Sequence, residues 1–309
     1  MVSNISASII ERLKNVARAN YKPFNLITIL YFQERFLKRL SLSDYKENFI
    51  LKGGLYLYSV TQFKSRPTRD MDFSGRRLAQ DSAKMLEIIS LICEIQPDDG
   101  EDGIVFELEK MTAVTIKEDS EYEGVRIKIP CLLGKMKETL QLDIGFGDAI
   151  VPNPQEIDFP TLLSTMDSPK IVVYTNDSVV AEKFEAMISL SVINSRMKDF
   201  FDVYTLAERF SFDGHLLHRA VSETFGRRQT PIEEESVIFQ TSFVEDAKRI
   251  RMWSSFLKTQ QLSSDDLPFD GVVSRIEDFL MPIYSAIRNG TDFSGNWDCS
   301  SLKWDLPES

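Results

Sequence analysis

Phe49-Ile50-Leu51-Lys52-Gly53-Gly54, followed sixteen residues after the second glycine by Asp70-Met71-Asp72, decides how this chain reads. The glycine pair predicts a turn that opens a helix, where backbone N–H groups approach a chain of phosphates closely and the helix dipole favours negative charge. Residues two apart on a strand share a face, so Asp70 and Asp72 project together while Met71 and Phe73 turn into the core. Two hard oxygen ligands side by side suit Mg²⁺ or Mn²⁺ bridging substrate phosphates. An isolated D-x-D is common in acidic chains. Here the apolar strand with its glycine turn, and the polar run Arg66-Pro67-Thr68-Arg69 leading into the aspartates, make the pair informative.

The 309 residues, 43% of them apolar, are enough for one large domain or two ordinary ones with a substantial core. With 36 Lys and Arg against 47 Asp and Glu, the net charge of -11 excludes nucleic-acid binding through a broadly basic surface. Any RNA contact is therefore local. Residues 1–20 are polar and mixed in charge, unlike a signal peptide, and no window reaches the ~18 apolar residues of a membrane span. Cytoplasmic residence without membrane contact is the expectation. Cys93, Cys131 and Cys299 are far apart and lack metal-site spacing, so they read as packing residues. His215 and His218, with no third ligand nearby, read as surface or packing residues.

Helical spacing of Ile5, Ile9, Leu13 and Val16, and of the apolar residues from Phe24 to Leu40, predicts two opening helices. A strand over Phe49 to Leu51, a brief helix over Leu55 to Val60, a strand over Thr68 to Phe73 and a helix over Leu78 to Ile95 follow. The acidic loop from Gln96 to Gly103 reads as a turn without chemistry. From Ile104 to Phe146 the period becomes two, at Val114 and Ile116, at Val125, Ile127 and Ile129, and at Leu140, Leu142 and Ile144. Asp143 then lies opposite the packed side of its strand and is the third-carboxylate candidate, with Asp148 as its competitor. The segment from Val151 to Pro169 reads as a connector, and the chain beyond as helical almost to its end. Two domains are expected, residues 1–150 and 151–309. Asp177 or Ser178 is the expected cap of a helix whose stripe is Val180, Phe184, Met187, Ile188 and Ser191. Lys183 lies on its flank, where a lysine either snorkels or meets an anion. Asp199 and Asp202 open the next helix.

Three motifs in order resemble the AbiEii/AbiGii toxin family of the nucleotidyltransferase superfamily: Leu51-Lys52-Gly53-Gly54, Arg66-x-Thr68-x-Asp70-x-Asp72, and Ala181-Glu182-Lys183-Phe184 leading to Arg196-x-Lys198-Asp199-x-x-Asp202. Phe225-Gly226-Arg227-Arg228-Gln229-Thr230-Pro231 is a weaker echo, and the likeness spans about residues 5–235. The resemblance implies an α+β fold, a polymerase β-like nucleotidyltransferase core with a mixed sheet, followed by a helical C-terminal domain that closes the cleft. It implies that Asp70 and Asp72 hold the metal, that Lys52, Gly53, Gly54 and Thr68 contact the nucleotide, and that Lys183 neutralises triphosphate charge. The last motif acid falls on Asp199 or Asp202, with Asp202 favoured slightly. Gly54 stands where many superfamily members have serine, which leaves the backbone donors in place.

The implied activity is transfer of a nucleoside monophosphate from an NTP to a hydroxyl, dependent on Mg²⁺ or Mn²⁺, with pyrophosphate leaving. Asp143 or a neighbour is the candidate to bind the acceptor-side metal and help deprotonate the hydroxyl. The resemblance favours an RNA acceptor such as the tRNA 3′ end and permits protein AMPylation. It also implies a type IV toxin whose antitoxin is encoded nearby and need not touch it. A module that binds NTP and occludes a partner, and a carboxylate-metal nuclease, are the rival readings. Arg69, Arg76, Arg77, Arg227 and Arg228 are the nominated phosphate contacts.

Overall fold

The computed structural model describes residues 4–62, 66, 68–118, 122–234, 236–260 and 262–306. The chain divides into two compact units, one running to Asp148 and including Pro154–Tyr174, the other made of Ala149–Asn153 and the chain from Thr175 onward.

In the first unit α1 (Asn4–Ala19) and α2 (Phe24–Ser41) lead into β1 (Phe49–Lys52), α3 (Gly53–Val60), β2 (Asp70–Gly75) and α4 (Ser82–Glu94). β3 (Ile104–Phe106), β4 (Thr112–Glu118), β5 (Tyr122–Leu133), β6 (Met136–Phe146), β7 (Gln155–Asp158) and β8 (Lys170–Val173) complete it. The strands form one mixed sheet in the order β3-β5-β6-β2-β1-β8-β7, with β4 also paired to β5. β2 runs parallel to β6 and β1 parallel to β8, while β1–β2 and β5–β6 are antiparallel. The alternation of the sequence sets the two faces. Val125, Ile144, Phe73, Leu51 and Val173 stand in one register row across five strands, and all are buried. Burying such side chains stabilises by about 1.5–3 kcal/mol each.

The segment expected to be a connector supplies β7, β8 follows directly in chain expected to be helical, and the first unit includes Pro154–Tyr174. Ile171, Val172 and Val173 are buried against the sheet interior, which explains why this short strand pairs with β1. The α4 helix begins later than expected, at Ser82, because the Asp81 carboxylate accepts from the Lys84 N–H and caps it there.

Every residue of α2 from Ile27 to Leu40 is buried, the charged ones included. The acidic loop from Gln96 to Gly103 meets those charges, so it is a structural element and more than a turn. Asp99 pairs with Arg35 at 2.5 Å, and Asp102 pairs with Arg35 at 3.2 Å and Arg39 at 2.5 Å. Buried guanidinium groups persist only when carboxylates compensate them.

The second unit holds α5 (Asn176–Leu190), α6 (Met197–Arg209), β9 (Phe212–Asp213), α7 (Gly214–Arg227), α8 (Thr241–Val244), α9 (Ala247–Thr259) and α10 (Phe269–Asn289). It is helical as expected except for a small antiparallel sheet, in which β10 (Asn296–Asp298) lies between β9 and β11 (Lys303–Asp305). Trp297 and Trp304 are cross-strand partners there and pack on Phe279, which holds strands of two or three residues in place. The α5 cap is Thr175, whose side chain accepts from the Ser178 N–H, and neither Asp177 nor Ser178 serves.

Candidate active site

The face of the first unit's sheet opposite the apolar row carries the polar residues of the motifs. Lys52 on β1 is the register partner of Asp72 on β2, Asp72 of Asp143 on β6, and Asp143 of Arg126 on β5. One row therefore reads Lys52, Asp72, Asp143, Arg126. Asp70, Gln141 and Lys128 form the next row on the same face. Met71 and Phe73, the alternate residues of β2, are fully buried as the period-two pattern predicts.

The glycine turn is shaped around this row. Gly53 opens α3 at φ +66°, and a Cβ there would stand 2.1 Å from Asp72 Oδ2. Only glycine admits both the left-handed backbone and the carboxylate. Asp72 thereby lies against the N-terminus of α3, where the dipole favours its charge. A Cβ on Gly54 would stand 2.9 Å from Thr68 Cβ, so the second glycine seats Thr68 beside the turn. The buried Gln33 of α2 donates through Nε2 to the Arg69 carbonyl at 2.9 Å and fixes the approach to Asp70. Pro67 lies outside the described residues.

Each cation of the row has a carboxylate of its own. Lys52 Nζ lies 2.8 Å from Asp148 Oδ2 and 5.6 Å from the centre of the Tyr174 ring, and the Tyr174 hydroxyl donates to the same Asp148 oxygen at 2.8 Å. Burial pulls the Asp148 pKa up, but Lys52 and its hydrogen bonds outweigh burial and hold it at about 2. Asp148 is thus the anchor of Lys52. Asp143 accepts from Arg126 Nε at 2.7 Å and Nη2 at 2.8 Å, and from Gln141 Nε2 at 3.3 Å. Asp143 raises the Arg126 pKa, with Asp70 and Asp72 adding to the effect. Asp143 is beside Asp72 as expected, yet its two oxygens are engaged. Among the described residues no group of three His, Cys, Asp or Glu side chains is already gathered as a ligand set, and Asp143 faces Arg126.

The second unit assembles the remaining motif. Lys183 Nζ lies 2.8 Å from both Asp199 Oδ1 and Asp202 Oδ2, and Arg196 Nε lies 2.6 Å from Asp199 Oδ2. The sequence left Asp199 and Asp202 as alternatives, and both carboxylates hold the lysine. Burial raises the Asp199 pKa, but Lys183 and Arg196 outweigh it and keep the carboxyl below its ordinary value. The Phe225 to Pro231 echo is structural here: Arg228 and Thr230 bind the Glu185 carboxylate at 2.6 and 2.5 Å, and Phe225 packs on Phe184. Arg69, Arg76 and Arg77 are exposed. The three cysteines are free, and burial pushes the Cys93 and Cys131 thiols up to about 12.

The profile of the family described as "Nucleotidyl transferase AbiEii toxin, Type IV TA system" matches residues 35–279. The chain belongs to the AbiEii family. AbiEii members are nucleotidyl-transfer enzymes, which implies an NTP substrate and an antitoxin partner. No curated protein matches this AbiEii chain. Among solved structures, JHP933 from Helicobacter pylori is 14% identical with a TM-score of 0.46, covering 86% of this chain and 94% of its own. A candidate nucleotidyltransferase from H. pylori is also 14% identical, with a TM-score of 0.47 and coverage of 87% and 99%. No helix among the described residues is long and apolar enough to cross a membrane.

Arg126 and Tyr174 were missed by the sequence reading. Arg126 alternates with Val125 and Ile127, so pairing β5 with β6 through the Gly134-Lys135 turn would have put it on the face of Asp143. Tyr174 carries no such signal.

Proposed function

We propose that this AbiEii protein transfers a nucleoside monophosphate from an NTP to a hydroxyl of an RNA acceptor, such as the tRNA 3′ end, with pyrophosphate leaving. The observation that carries the reading is the Gly53 turn, which fits Asp72 at 2.1 Å from a hypothetical Cβ and joins a helix N-terminus to the aspartate pair. Asp70 and Asp72 fit Mg²⁺ or Mn²⁺ because two carboxylates suffice when phosphates and waters complete the coordination. When bound, the divalent ion neutralises phosphate charge and orients the reacting oxygens.

The chain's own residues bind and orient. The backbone N–H groups of Gly53 and Gly54 approach the phosphates, Thr68 lies against Gly54, and Lys52, aimed by Asp148 and Tyr174, supplies positive charge next to Asp72. Lys183, held by Asp199 and Asp202, is the phosphate cation of the second unit. Positioned charges of this kind carry most of the acceleration in phosphoryl-group transfer. The protein acts as a cytoplasmic toxin whose antitoxin is encoded alongside it.

The test incubates the purified chain with each α-labelled NTP, Mg²⁺ or Mn²⁺, and total RNA or protein. Label attached covalently to RNA is the expected result, and Asp70→Ala should reduce it by at least ~10²-fold. Asp70 is exposed, so the variant should keep its fold. Label on protein favours AMPylation, and NTP binding without transfer favours the occlusion module. Full activity in Asp70→Ala would remove the assignment of the aspartates.

A further inference from the structure

Asp143 occupies the position where a third metal-binding carboxylate would be sought, yet its surroundings suit a different task. Both oxygens accept charge-assisted hydrogen bonds from Arg126, at 2.7 and 2.8 Å, and Gln141 adds a third at 3.3 Å. Its side chain is only 10% exposed, whereas that of Arg126 is 36% exposed. A divalent ion on Asp143 would have to displace the guanidinium or sit beside it, cation against cation. Arg126 is gripped side-on through Nε and Nη2. Among the described residues it donates to nothing else, so three of its five N–H groups remain for a second acceptor. They include both N–H groups of Nη1, on a guanidinium that stands one strand beyond Asp143 in the row of Asp72. Lys128, exposed on the next row of the same face, adds positive charge. A planar fork anchored on one edge by a carboxylate is suited to receive a phosphate on the other.

We infer that Arg126 is a phosphate-contacting residue of the site and that Asp143 is a positioning residue that aims it, not a metal ligand or a base. The inference deepens the proposed nucleotidyl transfer and rests on Asp70 and Asp72 marking where phosphates lie. The phosphate belongs either to the NTP or to the acceptor backbone, and the two arms of the experiment separate these sources.

In the first arm, equilibrium binding of labelled NTP with Mg²⁺ is measured for wild type, Arg126→Ala, Arg126→Lys, Asp143→Asn and the double variant Arg126→Ala/Asp143→Asn. In the second, kcat and KM for NTP and for acceptor RNA are measured on the same proteins. Removing Arg126 should weaken NTP binding, or raise the acceptor KM, by about 10- to 100-fold, the range of a charge-assisted contact. Lysine should restore part of the loss, and Arg126→Lys is read in place of Arg126→Ala if the alanine variant does not fold. Asp143→Asn should move the same constant in the same direction, and the double variant should be no worse than Arg126→Ala. The inference is overturned if Asp143→Asn lowers kcat by ~10²-fold or more in the Arg126→Ala background, since Asp143 then acts without the arginine. It is equally overturned if Arg126→Ala leaves both NTP affinity and acceptor KM unchanged. If the wild type binds NTP but transfers nothing, and binding still falls in Arg126→Ala, the proposed activity fails and the phosphate contact stands.

Discussion

Gly53→Ala tests the geometry of the site through stability before any turnover is measured. At φ +66° an alanine pays the cost of a left-handed residue, about 1–2 kcal/mol. Its Cβ would also stand 2.1 Å from Asp72 Oδ2, 2.8 Å from Cγ and 2.9 Å from Cβ, so Asp72 must leave its rotamer or β2 must shift. Overpacking of that kind costs roughly 1–3 kcal/mol, which brings the expected loss to about 2–5 kcal/mol. Native domains are stable by only ~5–15 kcal/mol, so the loss is large enough to read in urea unfolding followed by circular dichroism, as a lower midpoint at unchanged m. The companion variant Gly53→Ala/Asp72→Ala removes the two closest contacts and leaves only the 2.9 Å approach of Cβ. It should recover at least ~1 kcal/mol relative to the sum of the single variants, a coupling well above the ~0.3–0.5 kcal/mol scatter of independent sites. A Gly53→Ala protein within ~0.5 kcal/mol of wild type, or a strictly additive double variant, would refute the close approach of the turn to Asp72.

Two further perturbations follow from buried charge. Burial holds the Glu34 carboxyl up to about 7, so the folded state binds this proton more tightly than the unfolded chain, and stability falls as pH rises from the usual carboxylate range through 7. Glu34→Gln keeps an acceptor for the Leu162 N–H and should be about 1–3 kcal/mol more stable than wild type at pH 8 and near equal at pH 4, read from melts across that range; a gain that does not grow with pH would exclude Glu34 as the cause. Lys183→Ala leaves Asp199 and Asp202, with side chains 0% and 1% exposed, short of their shared cation, and should destabilise the protein by about 3–5 kcal/mol, with Asp202→Asn in the same background recovering part; an unchanged thermal midpoint would show that the lysine does not compensate the two acids.

What the sequence revealed follows from what repeats in it. Met71 and Phe73 alternate with Asp70 and Asp72, and Val125, Ile127 and Ile129 alternate with Arg126 and Lys128, so faces were legible wherever a strand is long enough to show its period. The register that brings Asp143 beside Asp72 was legible only in part, because a strand pattern names a face and not a neighbour. β7 was hidden because its residues are mostly polar and exposed, and β8 because its four residues show no alternation. The pairing of Asp99 and Asp102 with Arg35 and Arg39 joins a loop to a helix more than sixty residues earlier. No local pattern encodes such a contact, and an acidic loop reads as solvated unless its partners are known. Thr175 was passed over as the α5 cap in favour of Asp177 and Ser178, since cap residues cluster there and only backbone geometry selects among them.

The distribution of charge follows one rule in each of the two units. Lys52 is paired with Asp148, Arg126 with Asp143, and Lys183 with Asp199 and Asp202, so each cation proposed to meet phosphate already has an acidic partner. An unpaired buried cation would cost several kcal/mol, and the pairings of Lys52 and Lys183, 8% and 10% exposed, avoid that cost. They also aim the cations, because a lysine or arginine whose charged head is already held loses less rotamer freedom on meeting a ligand. An incoming triphosphate then encounters cations whose charge is partly spent and, at Asp70 and Asp72, carboxylates that repel it. On the proposed assignment, net attraction on this face would come from a divalent ion held by Asp70 and Asp72, which would couple metal and NTP binding by charge alone, before any chemistry begins.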